Sequence, residues 1–175
     1  LLTYDQYISC RRISVQSNTL ALLTGCVPAE RLADVRRISE TVASGHYVSG
    51  APSQRTIGTP GEQEAPGGIV AVGSPFFLFF SLGALYQNGQ PDLALKIMRR
   101  DWADMIASGS NTCWETFKSD TGHWTRSIAH AWAAAPAFYL PAEILGIQPL
   151  EPGYRTFSIN PNPGDLSWAR GSVIT

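Results

Sequence analysis

The stretch from Ser74 to Gly109, SPFFLFFSLGALYQNGQPDLALKIMRRDWADMIASG, decides the fold because it contains two helices joined by a very short turn. Ser74-Pro75 is a typical helix start, since Ser caps free N–H groups and Pro is tolerated in the first turn. The residues from Phe76 to Tyr86 are apolar on nearly every side, so we expect this helix to be buried on most sides. Asn88-Gly89 ends it.

The second helix of this pair begins at Pro91 and ends at Gly109. Apolar residues at helical spacing are expected to line its inner face: Leu93, Ile97, Trp102 and Ile106. Because the connection is short, the two helices form an antiparallel αα-hairpin.

A similar hairpin is predicted nearer the N-terminus. A helix that starts at Ile13 ends at Gly25, and Pro28 lies in the first turn of the next helix. That next helix has an apolar stripe with helical spacing: Leu32, Val35, Ile38 and Val42. The link is only about three residues long, so these helices also pack antiparallel.

The remaining segments predict a fifth helix and then a change to β-structure. Thr125 to Leu145 is Ala-rich and amphipathic, and Pro136 and Pro141 are expected to break or kink this helix. After Pro149 the β-forming Tyr154, Phe157 and Ile159 appear, and Leu166 to Thr175 is expected to form another strand. The fold class is therefore mainly α, a partial toroid of αα-hairpins over residues 1–149, followed by the first strands of a β domain over residues 150–175.

Two long loops, Gly45–Gly73 and Ser110–Gly122, connect one hairpin to the next. Since the turns within hairpins are short, both long loops are expected at the same rim of the helix stack, where such folds carry function. A solvated surface loop is an equally good interpretation of Gly45–Gly73.

Composition excludes several classes of function. The chain has 175 residues, with 13 Lys and Arg against 14 Asp and Glu, so it lacks the basic surplus that grips a nucleic acid. No run of about 18 apolar residues is present, so we expect no membrane span. The three cysteines are widely spaced and suggest neither a metal site nor a disulfide framework, and no cofactor is expected. Because the chain begins at Leu1, we expect it to be part of a longer polypeptide.

The densest polar and aromatic segment is Asn111–Phe117, where Glu115 lies between Trp114 and Phe117. An aromatic neighbourhood disfavours the charged form of a carboxylate, which suits it to proton transfer near neutral pH. Structural roles are the alternative: Trp114 would anchor the loop in the core, and Glu115 would cap a helix or pair with Arg126. Cys113 is better explained by burial beside Trp114 than by nucleophilic chemistry.

Arg126 and His130 are four residues apart, so on a helix they share one face and could point into the same cavity. A surface arginine and a core histidine are the structural alternative at this spacing.

An ordered set of motifs resembles a known family. The motifs are Ser74-Pro-Phe-Phe-Leu-Phe-Phe, Thr112-Cys-Trp-Glu115, Arg126-Ser-Ile-Ala-His-Ala-Trp132, Leu145-Gly-Ile-Gln-Pro, Glu151-Pro-Gly-Tyr and Trp168-Ala-Arg-Gly. In this order they resemble the C-terminal half of the catalytic domain of α-L-rhamnosidases, glycoside hydrolase family 78. The resemblance implies an (α/α)₆ toroid followed by a β-sandwich. It also implies inverting cleavage of terminal α-L-rhamnosyl groups.

The resemblance assigns residues to roles. It makes Glu115 the general base and His130 a sugar contact. Trp114 and Trp132 lie beside these two positions and are expected walls of the subsite, and Arg126 is expected to bind substrate because of its spacing from His130. The family's general acid lies upstream of the matched part, so we expect the missing N-terminal half of the polypeptide to be the partner that supplies it. Ala129 stands where many members have Asn.

Three competing functions remain open from the sequence. The chain is part of a rhamnoside hydrolase, or a shortened αα-hairpin protein that binds a glycan or small molecule without cleaving it, or a purely structural helical scaffold.

Overall fold

The computed structural model describes residues 13–43, 69–70, 74–117 and 127–174. Six α-helices lie within these ranges: α1 (Val15–Leu23), α2 (Leu32–Ala43), α3 (Pro75–Gln87), α4 (Pro91–Asp101), α5 (Ala103–Ala107) and α6 (Ala135–Tyr139). The strands are β1 (Ile13–Ser14), β2 (Ile69–Val70), β3 (Ile147–Pro149) and β4 (Phe157–Ile159). The prediction of a mainly helical fold built of αα-hairpins is confirmed.

The first hairpin forms as expected, with a later start for its first helix. Ser14 is the N-cap of α1, and its Oγ accepts a hydrogen bond from the Ser17 amide at 3.2 Å. Ile13 stays outside the helix because Ile13–Ser14 pairs in parallel with Ile69–Val70, inside the segment expected to be a loop. Gly25 ends the α1 region with a φ of +67°, a conformation that favours glycine.

The second hairpin, α3 and α4, forms the centre of the main core. Leu78 and Leu82 of α3 and Ala94 of α4 are fully buried. The expected burial of α3 on most sides is too broad, because Phe76 and Phe79 are 42% and 36% exposed. On this side α3 meets the rings of Trp132 and Phe138, which are themselves about half exposed and cover the α3 rings only in part.

The helix expected from Pro91 to Gly109 is interrupted at Trp102, which lies between α4 and α5. The Trp102 indole N–H donates to the Ala133 carbonyl at 3.0 Å, which fixes the ring in the core. Met105 is buried on the same face as Ala94 and Met98, whereas Ile106, one position further, lies off that face and is 75% exposed. The prediction that Ile106 lines the inner face is therefore wrong.

The expected start of the Thr125–Leu145 helix is also wrong for the described residues. Residues 127–130 are not helical, a 3₁₀ turn covers Ala131–Ala133, α6 follows, and Leu140–Ile144 forms a π-helical turn. Pro136 lies in the first turn of α6, so the helical segment is broken beside it, which is one of the two outcomes expected there. Pro141 lacks an N–H donor, and the wider turn that contains it is closed by the Leu145 amide bonding to the Leu140 carbonyl at 3.0 Å.

The C-terminal segment contains one small antiparallel hairpin in which Ile147 is opposite Ile159. The second strand expected over Leu166–Thr175 is wrong for residues 166–174, which have no strand assignment. Leu166 instead packs against the helical core, and Asp165 pairs with Arg99 of α4 at 2.8 Å. These contacts hold the segment against α4.

No helix in the described ranges is both long and apolar enough to span a membrane.

Candidate active site

Two short segments, 112–115 and 127–130, lie side by side and carry the candidate residues. The Glu115 amide donates to the Ser127 carbonyl at 2.9 Å, and the His130 amide donates to the Cys113 carbonyl at 2.8 Å. The Thr112 hydroxyl donates to the Ile128 carbonyl and forms a third link between the two segments. This pairing occupies backbone groups that a helix would have used internally, which explains why residues 127–130 are not helical.

The pairing brings Glu115 and His130 together, although 14 other residues separate them in the sequence. His130 Nδ1 lies 3.9 Å from Glu115 Oε2, and the two side chains are 27% and 24% exposed. Both groups are thus half-buried yet reachable from solvent. A carboxylate and an imidazole at this distance can bind the same small polar molecule, and a carboxylate can take a proton from it.

Trp114 lies beneath this pair and not beside it. Its ring is 2% exposed, and its indole N–H donates to the Ser110 hydroxyl at 3.2 Å. Phe117 is buried as well. The structure therefore places Trp114 as the core anchor of the loop, the structural role weighed in the sequence analysis, and Cys113 packs half-buried against the same core.

Trp132 lies on the exposed side of the pair. Its ring centroid is 4.2 Å from that of His130, and it is 53% exposed. Trp132 also contacts Phe76, with the ring centroids 5.2 Å apart and the two rings tilted by 46°. Sequence reasoning missed Phe76 because it treated the whole first turn of α3 as core, and no pattern in the sequence distinguishes an exposed ring in such an apolar run.

Arg126 lies outside the described residues, as do Trp124 and most of Gly45–Gly73. The helix-face argument that joined Arg126 to His130 does not apply, because the backbone of His130 is extended, with φ −133° and ψ 106°. His130 reaches Glu115 through strand-like pairing, a relationship that i, i+4 spacing does not describe.

Several titratable groups in the helix packing have shifted pKa values. Burial raises the pKa of Asp101, although its ion pair with Arg100 partly opposes this effect. Burial, and secondarily the charge of Glu143, raises the pKa of Tyr86 and of Tyr139 to about 12. Burial also raises the pKa of Glu143. Tyr139 donates to the Phe79 carbonyl at 2.7 Å, so these groups support the helix packing.

A cavity of about 20 Å³ lies between the first four helices and is separate from the pair. Ser81 of α3 lines it, and its buried hydroxyl has no hydrogen-bond partner within the described residues. This volume corresponds to about one water molecule, too small for a sugar. Nor do the described ranges contain any group of three or more His, Cys, Asp or Glu side chains able to hold a metal ion.

Comparison with known protein families shows which proteins this chain is related to. Residues 62–144 match the bacterial α-L-rhamnosidase six-hairpin glycosidase domain, and residues 146–175 match the bacterial α-L-rhamnosidase C-terminal domain. The chain belongs to the α-L-rhamnosidase family. A search of the curated proteins found no match.

The rhamnosidase matches confirm the resemblance and the six-hairpin fold class. They indicate that the protein is similar to glycoside hydrolases and that its substrate is a carbohydrate. The first match includes Glu115, His130, Trp132 and Phe76, so the entire arrangement described above lies within the glycosidase domain. The two matches meet at residue 145, next to the glycine that precedes β3.

Proposed function

We propose that the chain forms part of an inverting α-L-rhamnosidase in which Glu115 is the general base and His130 holds sugar hydroxyls. The observation that carries the proposal is the approach of Glu115 Oε2 to His130 Nδ1 at 3.9 Å within a rhamnosidase glycosidase domain. The partial exposure of both side chains supports a role in contact with a ligand.

In this proposal Glu115 accepts a proton from a water molecule while the water oxygen attacks the anomeric carbon. The bond from that carbon to the leaving-group oxygen breaks, and the sugar emerges with inverted configuration. Inversion requires a second carboxyl group, about 6.5–9.5 Å from the first, to protonate the leaving oxygen. We propose that polypeptide preceding Leu1 supplies this acid, and that the chain alone hydrolyses unactivated rhamnosides poorly, because the loss of such assistance costs about 10²–10⁴-fold in rate.

His130 is suited to the sugar-contacting role because its backbone is fixed independently of its ring. The amide bond to Cys113 holds the main chain, while one ring nitrogen faces Glu115 and the ring lies against Trp132. We propose that Trp132 forms one wall of the sugar subsite. Trp114 is not included, since its buried ring supports the loop from below.

The domain boundary also follows as a proposal. β3 pairs with β4, so both strands belong to the same unit. We therefore propose that the glycosidase domain ends near Leu145 and not at residue 149, with the β-containing unit starting at Gly146.

An NMR time course tests the proposed function. The chain, combined with the polypeptide that precedes it in the same reading frame, is incubated with 4-nitrophenyl α-L-rhamnoside, and the anomeric proton of the first product is observed. The proposal predicts β-L-rhamnose before mutarotation. Release of the α-anomer first would contradict inversion, and no release would favour the non-catalytic glycan-binding alternative.

A further inference from the structure

Two exposed aromatic rings continue outward from the proposed acid–base site. Glu115 Oε2 lies 3.9 Å from His130 Nδ1. The His130 ring centroid lies 4.2 Å from that of Trp132, and the Trp132 ring centroid lies 5.2 Å from that of Phe76. We infer that Phe76 and Trp132 form an aromatic platform that binds an aryl leaving group of the glycoside. This inference rests on the proposed function, because it needs a sugar bound at Glu115 and His130.

Both rings are attached to backbone that is held in place. Trp132 belongs to the 3₁₀ turn Ala131–Ala133, and that turn is fixed to the core by the bond from the Trp102 indole to the Ala133 carbonyl. Phe76 lies in the first turn of α3, directly after the buried Pro75. A ligand that binds here therefore loses little affinity to the ordering of its site.

Exposure distinguishes these rings from ordinary core residues. The Trp132 side chain is 53% exposed and the Phe76 side chain 42%, although each contacts other rings. Large apolar side chains exposed side by side next to a polar site are typical of ligand-binding surfaces.

The chemistry of the surface favours an aryl group over a second sugar. Besides each other, Phe76 makes an edge contact with the Phe80 ring and Trp132 contacts the His130 ring. A saccharide leaving group presents hydroxyls that need hydrogen-bond partners, and within the described residues the rings in contact here offer such a partner only at His130. An aryl ring needs none and gains from offset or edge contacts with both rings.

Calorimetric titration of the 175-residue chain tests the platform. The ligands are 4-nitrophenyl α-L-rhamnoside and methyl α-L-rhamnoside, which share the sugar and differ in the leaving group. The parent chain is expected to bind the aryl glycoside about 2- to 10-fold more tightly. Phe76→Ala should abolish this preference without weakening methyl rhamnoside binding, and Phe76→Leu, which keeps an apolar side chain but lacks the flat ring, should reduce it.

Phe157→Ala is the matched control, because Phe157 is 48% exposed and lies on β4 in the C-terminal hairpin. It should keep the full preference for the aryl glycoside. Equal binding of both glycosides by the parent, or a preference that survives Phe76→Ala, would overturn the platform while leaving the proposed function intact. If neither glycoside binds, the platform fails, while the proposed function is tested separately by the anomer that the combined protein releases first.

Discussion

Glu115 and His130 face each other from two separate chain segments, with Oε2 and Nδ1 3.9 Å apart. Backbone hydrogen bonds on either side of the pair set this distance, since Glu115 bonds to Ser127 and His130 bonds to Cys113 through their main-chain atoms. Either side chain can therefore be replaced without removing the bonds that align the segments. Substitutions at this pair consequently separate chemical roles from structural ones.

His130→Ala should weaken binding of methyl α-L-rhamnoside about 2- to 10-fold, the range expected for the loss of one hydrogen bond. The unfolding free energy should change little, because alanine retains the amide that bonds to Cys113. Titration calorimetry measures the affinity, and urea denaturation measures the stability. Unchanged affinity would remove His130 from the sugar site.

Trp114→Ala should destabilise the protein by about 3–5 kcal/mol, since the deleted ring is buried and leaves a cavity beneath the loop. The matched control is Trp168→Ala, where the side chain is 76% exposed and the expected change lies within about 0.5 kcal/mol. Equilibrium unfolding in urea measures both. Similar values for the two variants would show that Trp114 does not anchor the loop.

Gly146→Ala should be more destabilising than Gly109→Ala, although both glycines have positive φ angles of +69° and +76°. At Gly109 a Cβ meets open space, so only the backbone cost of about 1–2 kcal/mol applies. At Gly146 the added carbon would collide with the backbone of Asn160 and force β3 and the following chain apart. The difference between the two midpoints of denaturation isolates this contact, and equal midpoints would refute it.

The Glu143→Gln variant should become more stable relative to the parent as the pH rises from 4 to 7. Burial raises the pKa of Glu143 above its ordinary value of 4.5, so the folded protein holds the proton more tightly than the unfolded chain. That contribution to stability is fully present below the unfolded pKa and is lost as the pH rises through the folded pKa. Gln cannot ionise and avoids this loss. Melting temperatures at pH 4 and pH 7 test the sign, and a difference between parent and variant that does not vary with pH would contradict it.

The sequence predicted the hairpins well because helix starts and stops are local signals. Ser74-Pro75 and Gly89 mark the ends of α3 in the structure as they do in the sequence, and the family motifs identified the glycosidase domain. The interruption at Trp102 was not predictable in this way, since it depends on a bond to Ala133, which lies 31 residues later.

At the candidate site, too, local sequence signals were predictive and contacts between distant segments were not. The motif around Glu115 indicated the correct loop, but the Ala-rich composition of residues 125–145 predicted a helix where backbone pairing with residues 113–115 prevails. Ring exposure depends equally on packing between distant segments, so Trp114 and Trp132 look alike in sequence and are 2% and 53% exposed in the structure.

The most direct test of the central claim compares Glu115→Gln with Glu151→Gln, a control whose carboxylate pairs with Arg155 outside the site. Each variant is combined with the preceding polypeptide, and the rate of hydrolysis of 4-nitrophenyl α-L-rhamnoside is measured. We predict that Glu115→Gln lowers kcat about 10²–10⁴-fold, as expected for a lost general base, while Glu151→Gln matches the parent. A Glu115→Gln rate close to that of the parent would contradict the assignment of Glu115 as the base.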